Sequence, residues 1–399
     1  MLFRELLIQE INSKREDFAR FAETQSDELE SYQNQLNELA ARESSQIAAL
    51  LGNKDVGAIP SEELDKFRSI KLDFKSEWRN HEEARAWAVQ VLQNRTTFAA
   101  DGSQIQPGRE VSLPVAAIQV GTFENPHTAD GKYFKQAILK IIPPGELLGE
   151  NEFEEKPITP ETKVGLRRFQ AEAEAIENFL ESKSGWRERN ERMPLAFFDG
   201  TLLISFSQPN SDVQRQFINS MRRLVLLSKE TQVPLVGFVD QSYARDLIGL
   251  LDALKINLFK SNTLTDAQLL SFRTLENWGE RTPFFYCQRR GLSDYFVDLD
   301  GNALVGLVYL QTTSDAIPAR LDVPAWIYES NLLDEVTDTV RAECVTGLGY
   351  PYALETADAT AVISVRDRET FLRALQDFSV RENLNFSVSN KKMSKARRR

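Results

Sequence analysis

Apolar residues near the start of the chain recur at three- and four-residue steps: Phe18, Phe21, Leu29, Tyr32, Leu36 and Leu39, with Gln25 in the same series. Charged, Gln and Asn residues fill the gaps. The spacing predicts one long helix over residues 1 to about 50, heptad-like but short and imperfect. It fits a helix packed on the main body, or a coiled-coil arm for dimerisation or partner docking; we read it as the arm. Gly52 to Pro60 breaks the pattern. A second helical stretch follows from Ser61 to Asn94, with Trp78 and Trp87 on its apolar side.

Beyond residue 95 the period changes. Thr97–Ala100, Val115–Thr122 and Phe134–Ile142 read as a strand meander, with a polar turn over Glu124–Lys132. Gly145 to Pro160 is an acidic loop punctuated by Pro and Gly. Helices then alternate with strands: helix Pro160–Ser182, strand Leu195–Phe206, helix Asp212–Lys229, strand Val233–Val239 and helix Ala244–Lys255. Further on come a strand at Phe284–Cys287, a hairpin within Tyr295–Gln311, a helix at Leu332–Leu348, a loop at Gly349–Asp358, a short strand at Ala361–Val365 and a helix at Glu369–Phe378. This order predicts an α/β body on a mixed sheet flanked by helices.

An Asp-Gly-hydroxyl turn follows an apolar run twice, in Phe98-Ala99-Ala100-Asp101-Gly102-Ser103 and in Phe197-Phe198-Asp199-Gly200-Thr201. An Asp-Gly pair is usually a β-turn, as expected at Asp300-Gly301-Asn302 between two alternating strands. Asp101 and Asp199 differ, because each ends a wholly apolar run. An ionised carboxylate there is costly unless paired or bound to a metal, so the two are expected to meet around a divalent cation. Glu172 falls beside the apolar face of the Pro160–Ser182 helix, Glu174 nearer its solvent side, and Glu177 one turn on. By pattern alone either Glu172 or Glu174 is more simply a solvated helix charge. Asp358 sits among small and apolar residues after Tyr350-Pro351-Tyr352, as a turn, a cap or part of a pocket. Asp240, ending an apolar strand, is a candidate extra ligand, and Arg245 a phosphate contact.

Composition narrows the chemistry. The chain has 399 residues, 42% hydrophobic and 27% charged, with net charge -11. That is globular and argues mildly against a nucleic-acid partner, although the end, Lys391-Lys392-Met393-Ser394-Lys395-Ala396-Arg397-Arg398-Arg399, is basic enough to hold phosphates. Two Cys and two His, His81 and His127, nearly exclude a Cys/His zinc site and His-based acid–base chemistry. Cys287 and Cys344 suggest a reducing compartment without a disulfide framework. No apolar run reaches membrane-spanning length, and Arg4, Glu5 and Glu10 rule out a signal peptide, so a cytoplasmic protein is expected. Several carboxylates without His suit a pair of hard cations, Mg²⁺ or Mn²⁺, roughly 4 Å apart on a phosphodiester.

The ordered set apolar-Asp101-Gly102-Ser103, Arg167-Arg168…Glu172, apolar-Asp199-Gly200-Thr201-Leu202 and Gly349-Tyr350-Pro351-Tyr352-Ala353-Leu354-Glu355-Thr356-Ala357-Asp358 resembles the NurA nuclease family. The resemblance covers roughly Thr97 to Asp367. It implies an RNase H-like core, a two-metal mechanism, and 5′-to-3′ exonuclease and single-strand endonuclease activity on DNA in end processing and repair. It also implies Mn²⁺ or Mg²⁺ as cofactor, a homodimer, and a HerA-type hexameric ATPase as partner. Carried over by position, Asp101, Glu172, Asp199 and Asp358 would hold metal, and Tyr350 would be the active-site tyrosine. The family pattern has His where this chain has Asp358. On this reading residues 1–95 are a helical arm, 96–385 the nuclease domain and 386–399 a disordered basic tail. A catalytically weak or inactive scaffold subunit is the alternative. An Asp-x-Asp phosphatase, prompted by Asp298-Leu299-Asp300, is disfavoured because a strand rather than a helix follows.

Overall fold

The structure, a computed structural model, describes residues 2–52, 56–76, 78–108, 112–149, 159–204, 212–254, 263–289, 295–385 and 387. The basic tail from 388 and most of the acidic loop before Pro160 lie outside these residues, as does the end of the strand anticipated to run to Phe206. Along the chain the elements begin α1 (Arg4–Ser13), α2 (Arg15–Ala40), α3 (Ser44–Leu51), β1 (Gly57–Pro60), α4 (Glu62–Phe67) and α5 (His81–Leu92). Then come β2 (Thr97–Ile105), β3 (Ala116–Asn125), β4 (Phe134–Ile142), α6 (Pro144–Leu148), α7 (Pro160–Lys183), β5 (Leu195–Asp199), α8 (Asp212–Thr231) and β6 (Leu235–Val239). The remainder are α9 (Asp246–Ala253), α10 (Asp266–Ser271), β7 (Phe285–Gln288), β8 (Val305–Leu310), β9 (Ala319–Pro324), α11 (Ala325–Glu329), α12 (Leu333–Thr346), α13 (Tyr352–Ala361) and α14 (Val365–Arg381).

The chain divides into two compact units. The first joins Met1–Glu77, Val239–Ser293 and Gly306–Leu321. Its N-terminal residues form three helices rather than one. Lys14 separates α1 from α2, and Glu43 takes an extended conformation before α3. That second break is held from a distance: the Ser44 backbone N–H donates to Asp65 Oδ1 at 2.7 Å, and the Ser44 hydroxyl donates to Oδ2. Tyr32, Leu36 and Leu39 on α2 are fully buried with Leu247, Leu251, Leu270 and Leu307, whereas α1 buries none of its residues. β1, β7 and β8 form an antiparallel ribbon. Gly57 on β1 has φ +95, and a Cβ there would meet the Asp246 Cα at 2.7 Å, so this position requires glycine.

Asp246 is the centre of a buried ionic network in this unit. Arg289 binds it bidentately, Nε to Oδ1 at 2.9 Å and Nη2 to Oδ2 at 2.6 Å, and Arg320 Nη1 donates to the same Oδ2. The two guanidinium groups hold the Asp246 carboxyl below its ordinary range against the opposing effect of burial. Asp266 accepts from the backbone N–H groups of Asp246, Leu247 and Ile248, which caps α9, and from the Tyr309 hydroxyl.

The second unit joins Trp78–Phe238, Asp294–Val305 and Asp322–Arg399. Its sheet runs β6-β5-β2-β3-β4. β2 lies parallel to β5, which is parallel to β6, while β3 and β4 continue antiparallel from β2. One face is covered by α7, where Phe98 stacks on Phe179 with centroids 4.6 Å apart. α13 covers the other face: a Cβ at Gly121 would meet Ala361 N at 2.5 Å and Ala357 O at 2.6 Å. Ala88 and Leu92 of α5 pack on Ala342 of α12. The Asp298–Asn302 turn is the ordinary turn anticipated, with Asp298 Oδ1 accepting from the backbone of Asp300 and Asn302.

Three local expectations change. The 349–358 segment is helical from Tyr352, because helix formers follow Pro351 directly. No strand forms at 361–365, because a Ser364–Asp367 capping box starts α14 there. The 61–94 stretch is two helices, α4 and α5, started by Ser61 and Asn80 side chains that each accept from helix N–H groups. Cys287 and Cys344 are both free and buried.

Candidate functional site

The two Asp-Gly pairs are in register, but only Asp199-Gly200 ends a strand; Asp101-Gly102 lies inside β2, which pairs with β3 on to Ile105 instead of stopping at Asp101 as anticipated. Parallel pairing of β2 with β5 runs from Thr97↔Leu195 to Ala100↔Phe198, so Asp101 and Asp199 occupy the next position on neighbouring strands. Adjacent strands lie about 4.8 Å apart. The sequence therefore brings its two apolar-run carboxylates side by side, Asp199 at the end of β5 and Asp101 midway along β2. Their surroundings differ from expectation: Asp101 is half-buried and Asp199 is exposed.

Glu172 joins them from α7. It is 7% exposed and points at Gly102, where a Cβ would collide with its Oε1. The glycine after Asp101 thus opens the space that the helix carboxylate enters. Arg168, one turn earlier, lies 3.1 Å from that Oε1 and donates from Nη1 to Gly102 O at 2.7 Å. Glu172 Oε1 itself is buried and accepts no hydrogen bond, and neither does Arg168 Nε donate one. Glu174 goes elsewhere, to the exposed Lys140 Nζ at 2.9 Å, and Glu177 binds Arg223 at 3.0 Å. Of these three, Glu172 is the one that reaches Gly102, close enough for the charges of Asp101 and Asp199 to act on it.

Tyr350 and Asp358 complete the group. The Tyr350 hydroxyl donates to Asp199 Oδ1 at 2.8 Å, and its ring packs edge-on against Phe238. Asp358, on α13, shares a side-chain hydrogen bond with Asp101. Asp101 is thus linked to Asp199 and Asp358, Glu172 lies near enough to feel the charges of Asp101 and Asp199, and Tyr350 bonds Asp199. Asp240 sits exposed in the bend after β6, and Arg245 immediately precedes α9.

Burial chiefly raises the Asp101 pKa, to about 6; the Asp358 hydrogen bond and the charges of Asp199 and Asp358 push the same way, against the Gly102 N–H. Burial likewise raises Glu172 to about 7, with Asp101 and Asp199 adding to it and Arg168 opposing. A carboxyl whose folded pKa is raised favours the folded state below its unfolded pKa, and that advantage is lost as pH rises through the folded value. Chemical denaturation in EDTA should therefore show stability falling from about pH 4 to about pH 7. An Asp101→Asn/Glu172→Gln variant should lose much of that slope. An unchanged slope would contradict the assignment.

The donor set consists wholly of oxygen, and the buried Glu172 Oε1, which accepts no hydrogen bond although Arg168 lies 3.1 Å away, would suit a hard cation together with Asp101. Among the described residues, no group of three or more Asp, Glu, His or Cys side chains is placed so that it could hold a metal ion.

Two supporting residues were not legible in the sequence. Asp322 accepts from the Thr201 hydroxyl and from Leu202 N at 3.1 Å, which shapes the turn after Asp199. Glu343 is fully buried and accepts from Thr97 Oγ1 at 2.8 Å and Ala353 N at 2.9 Å, with His127 Nε2 3.6 Å away. It ties the strand bearing Asp101 to the start of the helix bearing Asp358. Glu343→Ala should destabilise the chain by roughly 2–4 kcal/mol in urea unfolding, because buried donors lose their acceptor. Glu343→Gln, which keeps one acceptor, should lose less; equal losses would contradict this linking role.

A family model for the NurA domain matches residues 95–363. No curated protein matches the chain. A solved structure of NurA is similar at TM-score 0.40 with 10% identity, covering 74% of this chain and 94% of that one. The catalytic domain of human Endonuclease V is similar at TM-score 0.30 with 13% identity, covering 79% of this chain and 95% of that one. An Aquifex aeolicus Argonaute is similar at TM-score 0.28 with 9% identity, covering 68% and 29%.

Proposed function

Since the chain belongs to the NurA family and has its RNase H-like fold, we propose that it is a metal-dependent DNA nuclease. Its centre is Asp101, Glu172, Asp199 and Asp358, with Tyr350 beside them. The observation that carries this reading is the register that sets Asp101 next to Asp199 while Gly102 admits Glu172. A divalent cation bound there, Mn²⁺ or Mg²⁺, would supply water activation and charge neutralisation at a phosphodiester, singly or as a pair.

The chain's own groups prepare that site. Tyr350 holds Asp199 Oδ1 and so fixes the carboxylate's orientation. Arg168 holds the strand at Gly102 and offsets the Glu172 charge. Burial above all keeps a proton on Asp101 that must leave before it can act as a ligand, so activity should rise with pH through about 6. Asp358 replaces the family's His with an oxygen donor, which favours hard cations more strongly.

From the family we carry over 5′-to-3′ exonuclease and single-strand endonuclease action in DNA end processing and repair. We also carry over a HerA-type hexameric ATPase partner, a homodimer assembled with help from the N-terminal helices in coiled-coil fashion, and a cytoplasmic location. Among the described residues no helix is long and apolar enough to cross a membrane. Incubating the purified chain with end-labelled linear DNA in Mn²⁺, Mg²⁺ or EDTA tests the reading. Degradation with metal and none in EDTA is expected; intact DNA throughout would overturn it. The change from His to Asp358 favours a second reading, a scaffold subunit without nuclease activity, which that same intact DNA would support.

A further inference from the structure

Three aromatic rings and a lysine cluster on the α13 side of the second unit's sheet, and the carboxylate centre does not use them. Phe123 lies in the middle, 1% exposed. Tyr133 packs on one side with centroids 5.7 Å apart, and Tyr352 packs edge-on on the other at 5.8 Å. Lys135 Nζ lies 5.7 Å from the Phe123 centroid and 5.4 Å from that of Tyr133. Both tyrosines remain open, Tyr133 at 55% and Tyr352 at 37%.

Strand register places this cluster relative to the carboxylates. Phe123 pairs with Ala99 and Gly121 with Asp101, and Lys135 pairs with Phe123. Directly paired residues share a sheet face, and alternate residues along a strand do too. Asp101, Phe123 and Lys135 therefore lie on one face, which α13 covers at Gly121. Tyr352 and Asp358 belong to that same helix, six residues or about 9 Å apart along its axis.

We propose that Tyr133 and Tyr352, held rigid by Phe123, form a stacking platform for an unpaired nucleobase of the DNA strand entering the carboxylate centre, with Lys135 meeting its phosphate. The proposal rests on the nuclease reading and names the form of DNA the site selects. Packing explains Phe123, which fills the space between sheet and helix, but it does not explain two tyrosines left open with a cation beside them. A base inside a duplex has both faces stacked, so only an unpaired base offers a face to such rings. Aromatic stacking tolerates any base, because every base has a π-face.

Equilibrium binding of fluorescein-labelled oligothymidylate in EDTA tests this without relying on catalysis. Wild type should prefer oligothymidylate to a charge-matched abasic strand by about fivefold or more for each stacked base. Tyr133→Ala/Tyr352→Ala should lose that preference while binding the abasic strand as wild type does. Tyr133→Phe/Tyr352→Phe should retain it, which guards against simple misfolding. A double-alanine variant that still discriminates would overturn the platform, as would wild type that cleaves DNA yet binds both strands equally. Wild type that neither binds nor cleaves DNA would overturn the underlying nuclease reading, and the platform with it.

Discussion

Asp101→Ala and Asp199→Ala should each lower Mn²⁺-dependent DNA cleavage by roughly 10³-fold or more, since each removes an oxygen donor from a centre that supplies several kcal/mol of charge stabilisation. Neither change should unfold the chain. Asp199 is exposed, and its bond from the Tyr350 hydroxyl lies at the surface. The Asp101 carboxylate is held against burial and neighbouring negative charge, so its ionised form opposes folding at neutral pH. Asp101→Asn should therefore combine lost activity with an unchanged or raised melting temperature. That separation is the signature of a functional rather than a structural carboxylate. Wild-type cleavage rates in both alanine variants would refute the site.

The largest stability effect should come from Asp246→Ala in the first unit. It leaves Arg289 and Arg320, the latter 1% exposed, without the carboxylate that both share. Breaking a buried ion pair by removing one partner costs about 3–5 kcal/mol, because the remaining charge stays buried. Urea denaturation should show that loss. Adding Arg320→Met should recover part of it, since residues in one network are not additive. Loss below about 1 kcal/mol would show that the network is screened like a surface pair.

The adjacency of Asp101 and Asp199 was legible because local patterns and sheet geometry agree. Two apolar runs that each end in Asp-Gly fit parallel neighbouring strands, and their register then follows from the matching positions of the two Asp residues. Glu172 was ambiguous against Glu174 because helical phase separates them by only two residues; the gap at Gly102 resolves it. Residues acting at long range were hidden. Glu343 and Asp322 serve a strand and a turn 246 and 120 residues away in sequence, and nothing near them signals it. β9 also escaped, because Arg320 and Asp322 interrupt its apolar run although all six of its residues are buried. The N-terminal heptad-like stripe is real over Tyr32, Leu36 and Leu39, but it faces the core of its own unit, and α1 ahead of it buries nothing. Periodicity reports which face is apolar and leaves open what covers it.

Calorimetric titration with Mn²⁺ tests the central claim, that these carboxylates hold a catalytic cation, without depending on substrate. Wild type should bind with measurable heat and release protons near pH 6, where Asp101 and Glu172 still carry them. Asp101→Asn/Asp199→Asn should abolish that binding. Absence of binding by wild type, or equal binding by the double variant, would contradict the account.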